Sequence, residues 1–222
     1  MKKLILSFAL LAGAVAQVQA EEITVTGTVG YETKYIFRGV ALADDFFSPA
    51  VDVSVGDFYA GAWAALPIDS MFDEEVDLYA GMNNSLSETT TLDVGVTLYT
   101  YPGSDADSTV EFYSGLSWDL PLSPSFYVFY DIDLDTLTTE FSFGKTVEIN
   151  DTSAWEWGIH TGYVMPDVGD SLLYGGVSAA YTLTISENVS ASIGANYYGA
   201  SENITADSKH EFTIAASITT GF

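Results

Sequence analysis

A transmembrane, all-β, antiparallel up-and-down barrel of about twelve strands, exported behind a cleaved leader, is the fold class this 222-residue sequence predicts. Three observations predict it. The first twenty residues have the make-up of a secretory signal. Almost everything after them alternates apolar and polar residues with a period of two, which puts the two sets on opposite faces of a strand. The chain ends on an amphipathic stretch, Glu211–Phe222, that closes on an aromatic residue.

In the leader, Lys2 and Lys3 form a charged start, Leu4 to Ala16 an apolar run, and Val18-Gln19-Ala20 a small-residue cleavage site. Residues 1–20 are therefore assigned to a signal peptide and 21–222 to the barrel. Cleavage leaves four of the six basic residues and all 31 acidic ones. So acidic a chain has no phosphate-binding surface, which excludes nucleic acid as a partner. With 48% hydrophobic and 14% aromatic residues it is not a disordered acidic tail either. It has no cysteine, hence no disulfides, and no later run approaches the ~18 apolar residues of a membrane helix. If this chain crosses a membrane it must do so as a closed barrel, because lipid offers nothing to unpaired backbone groups.

Taken in order, Ile23 to Arg38 sets Ile23, Val25, Val29, Tyr31, Tyr35 and Phe37 against Thr24, Thr26, Thr28, Glu32, Lys34 and Arg38. Gly39 to Ser48, carrying Asp44 and Asp45, reads as a loop. Val51, Val53 and Val55 oppose Asp52 and Ser54, and Gly56-Asp57 signals a hairpin turn. Phe58 to Ile68 has small or aromatic residues on both faces and does not reveal its orientation. Val76, Leu78, Ala80 and Met82 oppose Asp77, Tyr79 and Gly81; Leu92, Val94, Val96 and Leu98 oppose Asp93, Gly95 and Tyr99. Val110, Phe112, Leu116 and Trp118 oppose Glu111, Tyr113 and Gly115. Phe126 to Asp135 sets Tyr127, Phe129, Asp131, Asp133 and Asp135 on the polar face. Phe141, Phe143 and Val147 then oppose Glu140 and Gly144; Trp155, Trp157 and Ile159 oppose Glu156, Gly158 and His160. Strands around Leu173–Leu183 and Val189–Tyr198 follow, and Phe212, Ile214, Ile218 and Phe222 mark the last.

Connections alternate between short turns and longer loops, which is the asymmetry of barrels with periplasmic turns and external loops. A soluble sandwich would also alternate, but it would carry Lys and Glu on its outer face. Here the polar face is rich in glycine (Gly81, Gly95, Gly115, Gly144, Gly158, Gly176 and Gly194), as a crowded lumen requires. Tyr35, Phe37, Trp118, Phe126, Trp155 and Trp157 lie near strand ends on the apolar face, where the aromatic girdles of a membrane barrel belong.

Three stretches carry a likeness to a known family: Tyr35-Ile36-Phe37-Arg38-Gly39, Phe58-Tyr59-Ala60-Gly61-Ala62-Trp63, and Glu75-Val76-Asp77-Leu78-Tyr79-Ala80-Gly81. Their order and spacing resemble the TorF-family porins of the proteobacterial outer membrane. The likeness covers the first third of the mature chain. It departs where family members carry polar Ser and Gln after Arg-Gly and this chain has Val40-Ala41-Leu42-Ala43. The resemblance implies a pore-forming barrel in the bacterial outer membrane.

The candidate pore-lining residues are Glu32, Lys34, Arg38, Asp52, Asp77, Tyr79, Asp93, Glu111, Tyr113, Asp131, Asp133, Glu140, Glu156 and His160. A lumen walled by one sign of charge concentrates counter-ions, so cations are the expected solute; the same carboxylates could instead only hydrate the wall. Arg38 either ties neighbouring strands through carboxylate pairs or forms half of a constriction. Asp131, Asp133 and Asp135 recur at ~7 Å along one face, too far apart to share a metal ion tightly. His160 and His210 follow no serine-hydrolase motif. The expectation is a non-enzymatic channel without cofactor, for passive diffusion of small hydrophilic solutes or ions. The alternatives are a non-conducting barrel serving as receptor, adhesin or structural element and, less expected, a lipid-acting barrel enzyme. The expected partners are outer-membrane lipid and lipopolysaccharide, and barrel-assembly machinery that reads the terminal strand and Phe222.

Overall fold

The computed structural model describes residues 22–68, 73–201 and 210–222; the signal peptide lies outside them. Twelve strands form one closed barrel: β1 (Ile23–Phe37), β2 (Val40–Val55), β3 (Phe58–Pro67), β4 (Glu75–Ser87), β5 (Thr90–Thr100), β6 (Thr109–Trp118), β7 (Ser125–Asp131), β8 (Thr136–Asn150), β9 (Ser153–Pro166), β10 (Leu172–Ser186), β11 (Val189–Ala200) and β12 (His210–Gly221). Each pairs antiparallel with its sequence neighbours, and β12 pairs with β1 to close the ring. Closure leaves no strand edge, the one sheet arrangement that satisfies every backbone group in hydrocarbon.

Alternation decides what faces where. Val29, Leu78, Phe112, Phe141, Ile193 and Ile218 are exposed on the outside. Glu111, Asp131, Thr138 and Thr213 are buried on the inside. A soluble protein would bury the first set; a barrel in lipid leaves it outward. The orientation of β3 is settled by its partners. Trp63 pairs with Ala50 and Asp77, and Tyr59 with Gly81, so Tyr59, Gly61, Trp63 and Ala65 point inward.

Two strand expectations are corrected. Residues 39–48 are not a loop: β2 begins at Val40, and Arg38-Gly39 is a two-residue turn with both φ positive, 48° and 81°. That is the hairpin turn whose twist matches the flanking strands, and Gly39 supplies one of its left-handed positions at no steric cost. The second correction concerns β7, which stops at Asp131. Ile132 to Asp135 form the turn, held by Asp131 Oδ1 accepting the Asp133 and Leu134 N–H groups at 2.9 and 2.8 Å.

The β1–β2 hairpin leaves the wall. Pairing of β1 with β12 ends at Glu32–Ala215, and pairing of β2 with β3 begins at Phe46–Pro67. Residues 33–45 form ladder pairs only with each other, with a register shift between Tyr35 and Ile36, and are tied to the wall at their base by the Ile214 N–H to Thr33 Oγ1 and the Ile68 N–H to the Asp45 carbonyl. Beyond that base, the hairpin folds into the mouth of the barrel. Arg38 lies six positions beyond Glu32, about 20 Å of strand, which is enough to cross the lumen.

Candidate functional site

The tip of this hairpin meets the opposite wall. Arg38 donates two hydrogen bonds to Glu111 of β6, Nη1 to Oε2 at 2.6 Å and Nη2 to Oε1 at 2.8 Å. Its guanidinium carbon lies 4.7 Å from the ring centres of both Phe37 and Phe129. Tyr99 also donates to Glu111, at 3.0 Å. Gly39 abuts Tyr174 of β10 so closely that a Cβ there would lie 2.7 Å from the tyrosine Cβ. Arg38 thus makes the bidentate carboxylate pair, but with a strand across the barrel and not with a neighbour of its own.

This placement corrects two girdle assignments. Tyr35 packs inward against Phe46 and Trp63, at 5.1 and 5.5 Å between ring centres, and donates to Glu75. Phe37 lies beside Tyr99 under Arg38. Strict alternation would put both outside, but it holds only while a strand stays in the wall. Trp118, Phe126, Trp155 and Trp157 do lie on the outer face. Trp118, Phe126 and Trp155 sit at the short-turn ends of β6, β7 and β9. Opposite them, near the loop ends, are apolar-face aromatics not counted with the girdle above: Tyr31 packed on Phe47, Tyr130, Tyr163, and Tyr197 stacked on His210.

Beneath the hairpin tip is a chamber of about 610 Å³ whose wall is tyrosine and carboxylate. Tyr59 and Tyr127 both donate to Asp93, at 2.7 and 3.0 Å; Tyr79 donates to Asp52; Tyr174 donates to Glu140 at 2.7 Å. Each of these rings lies opposite a glycine on the adjoining strand: Tyr59 opposite Gly81, Tyr79 opposite Gly61, Tyr127 opposite Gly115, Tyr174 opposite Gly162. A Cβ at Gly61 would come 2.5 Å from the Tyr79 ring. The glycines let the rings lie flat along the wall, so their hydroxyls reach carboxylates without filling the lumen. Gly115→Val is expected to lift Tyr127 off the wall, cost about 1–3 kcal/mol of overpacking, and lower conductance. Urea unfolding in micelles and bilayer recording would read both, and unchanged values would refute the packing role.

Small residues line part of the wall beyond the tyrosines. A second space of about 420 Å³ lies along β8–β10 against Ser142, Gly144, Gly158 and Ser178, and Glu140 and His160 border both spaces. His160 stands between Tyr174 and Tyr198, and Glu156 accepts from Thr182 at 3.2 Å. The remaining candidates fall as follows. Glu32 and Lys34 lie on the inward face of β1, with Lys34 3.1 Å from Glu211 and 3.4 Å from Asp44. Asp77 and Asp131 are buried at the outer mouth, and Tyr113 faces inward opposite Gly95. Asp133 is not on the lumen wall. It sits in the β7–β8 turn, where Oδ2 accepts the Val110 N–H at 2.9 Å. Asp135 accepts from Tyr130, so the three aspartates of this region serve separate partners.

Electrostatics follow from this list. Both cations placed by the described residues in the lumen, Lys34 and Arg38, are already ion-paired. Among the described residues, Asp52, Asp93, Glu140 and Glu156 receive hydroxyl donors and no cation. At the outer mouth, burial and the carboxylates of Glu75, Asp77 and Asp131 push the Tyr101 hydroxyl up to about 12.

Comparison with known proteins places this geometry in context. The profile of a bacterial family of unknown function, Gcw_chp, matches residues 16–126, half of the chain. The chain belongs to this family. No curated protein matches it. Among solved structures it is similar to the KdgM porin, with a TM-score of 0.61 at 8% identity over 89% of this chain and 99% of that one. An outer-membrane channel from Pseudomonas putida F1 gives 0.58 at 11% identity, over 93% and 98%. The NanC porin gives 0.56 at 15%, over 90% and 99%. This Gcw_chp member therefore has the fold of outer-membrane porin barrels.

Proposed function

We propose that the protein is an outer-membrane channel for passive diffusion of small hydrophilic solutes or ions, with cations preferred. The observation that carries this reading is the pair of adjoining lumenal spaces, whose wall includes Asp93, Glu140 and Glu156, carboxylates that no cation among the described residues pairs. Such a wall concentrates cations and repels anions, most strongly where the aperture is narrow. The described residues show no nucleotide-binding loop or plug domain, so passage is downhill. The resemblance of stretches at the end of β1 and in β3 and β4 to TorF-family porins supports the same reading. Outward Trp118, Phe126, Trp155 and Trp157 would anchor the barrel at the periplasmic interface, in contact with lipid, and external loops would meet lipopolysaccharide.

Planar-bilayer recording tests this directly. In a salt gradient the reversal potential should show cation preference. Asp93→Asn combined with Asp52→Asn should reduce the cation-to-anion permeability ratio at least about twofold. Folded protein that passes no current would refute the channel, and anion preference would refute the electrostatic argument.

A further inference from the structure

The contact between the hairpin tip and the far wall has the form of a ligand complex. Both oxygens of Glu111 are engaged by separate guanidinium nitrogens, at 2.6 and 2.8 Å, and the ring of Phe129 lies 4.7 Å from the guanidinium carbon. Tyr99 orients the carboxylate from the side at 3.0 Å. A forked, planar donor set over an aromatic face is met by a guanidinium and not by an ammonium, which is a point donor on a flexible stem. Glu111 is buried, with its side chain only 3% exposed. A carboxylate so placed needs a cation.

Arg38 sits at the tip of a hairpin that lies outside the ladders of the wall. Between Thr33, whose Oγ1 accepts the Ile214 N–H, and Asp45, whose carbonyl accepts the Ile68 N–H, the hairpin forms ladder pairs only with itself, so withdrawing the tip breaks none of the ladders that close the barrel. Arg38 itself holds φ of 48°, a left-handed conformation uncommon for residues other than glycine. On the far side of the contact lies the tyrosine and carboxylate chamber, with Glu140 and Asp93 next along the wall.

We propose that Glu111, Phe129 and Tyr99 form a guanidinium-binding site in the outer mouth, held by Arg38 as a tethered ligand and entered by guanidinium-bearing solutes that displace it. Binding requires only the folded barrel; the passage that would follow rests on the channel reading above. The tether makes Arg38 a standing competitor, so removing it should expose the intrinsic affinity of the site.

The test is calorimetric titration of methylguanidinium into folded protein in detergent micelles, with heat-modifiable gel migration confirming the fold of each variant. Arg38→Ala should bind methylguanidinium at least about tenfold more tightly than the wild type, because the competing population is gone. Propylammonium should bind Arg38→Ala at least about tenfold more weakly than methylguanidinium. Adding Glu111→Gln to Arg38→Ala should abolish binding. Equal affinity in wild type and Arg38→Ala, equal binding of the ammonium, or persistence in the double variant would each overturn the site. Bilayer currents separate the two readings. Binding to a barrel that never conducts upholds the site and refutes the channel, whereas a conducting Arg38→Ala barrel that methylguanidinium neither binds nor blocks refutes the site.

Discussion

Replacing Tyr35–Ala43 by an Asn-Gly turn that joins Lys34 to Asp44 should raise single-channel conductance several-fold and increase cation preference. The excision removes the part of the chain that crosses the mouth, including Arg38 and its contact with Glu111. It leaves the ladders of the wall intact, since β1 pairs with β12 only as far as Glu32 and β2 with β3 only from Phe46. Lys34 and Asp44 already face each other, so Asn-Gly suits the shortened turn. Selectivity should rise because Glu111 loses its counter-charge and joins the carboxylates that no cation among the described residues pairs. Stability should fall less than it would in Arg38→Ala, where breaking a buried pair costs about 3–5 kcal/mol, because excision admits water to Glu111. Bilayer recording with a salt gradient reads conductance and selectivity together. Unchanged conductance in folded barrels would show that the hairpin does not set the aperture.

Deleting Phe222 should produce the second large effect, and on assembly rather than on transport. The Phe222 N–H donates to the Val25 carbonyl at 2.9 Å, and its ring lies on the outer side of Gly27, 3.6 Å from where a Cβ would stand. It ends the seam by which β12 closes on β1, from Thr26–Gly221 to Glu32–Ala215. Its ring is 80% exposed, so packing within the barrel does not account for it. We propose that this exposed aromatic on the closing strand is read by barrel-assembly machinery. The deleted form should show most of its folded, heat-modifiable band lost in outer-membrane fractions, yet refold in detergent and conduct like the wild type. Normal assembly in cells would remove the assembly role, and altered conductance of refolded protein would reassign Phe222 to the pore.

These two regions differ in how far they can be read without a structure. The terminal strand is legible because Phe212, Ile214, Ile218 and Phe222 keep step with every other strand. Alternation reports the face a residue takes as long as its strand stays in the wall. Tyr35 and Phe37 obey the same period and yet face inward, because their hairpin is released by both neighbours. Asp133 was misplaced for a related reason: Asp131, Asp133 and Asp135 continue the period past the point where β7 turns. The inward glycines were visible as a set, but their use was not. Tyr59 over Gly81 and Tyr127 over Gly115 require the register between strands, which no single strand contains.

The sequence by itself determined the closed barrel, its inside and outside and the acidity of its lumen. Those follow from a period of two and from the composition of each face, which are local properties. Only the tertiary structure decided the mouth. Arg38 and Glu111 are 73 residues apart, and what brings them together is the length of unpaired hairpin set against the width of the ring. Both quantities depend on where pairing between strands begins and ends, and that is settled by the whole barrel closing at once.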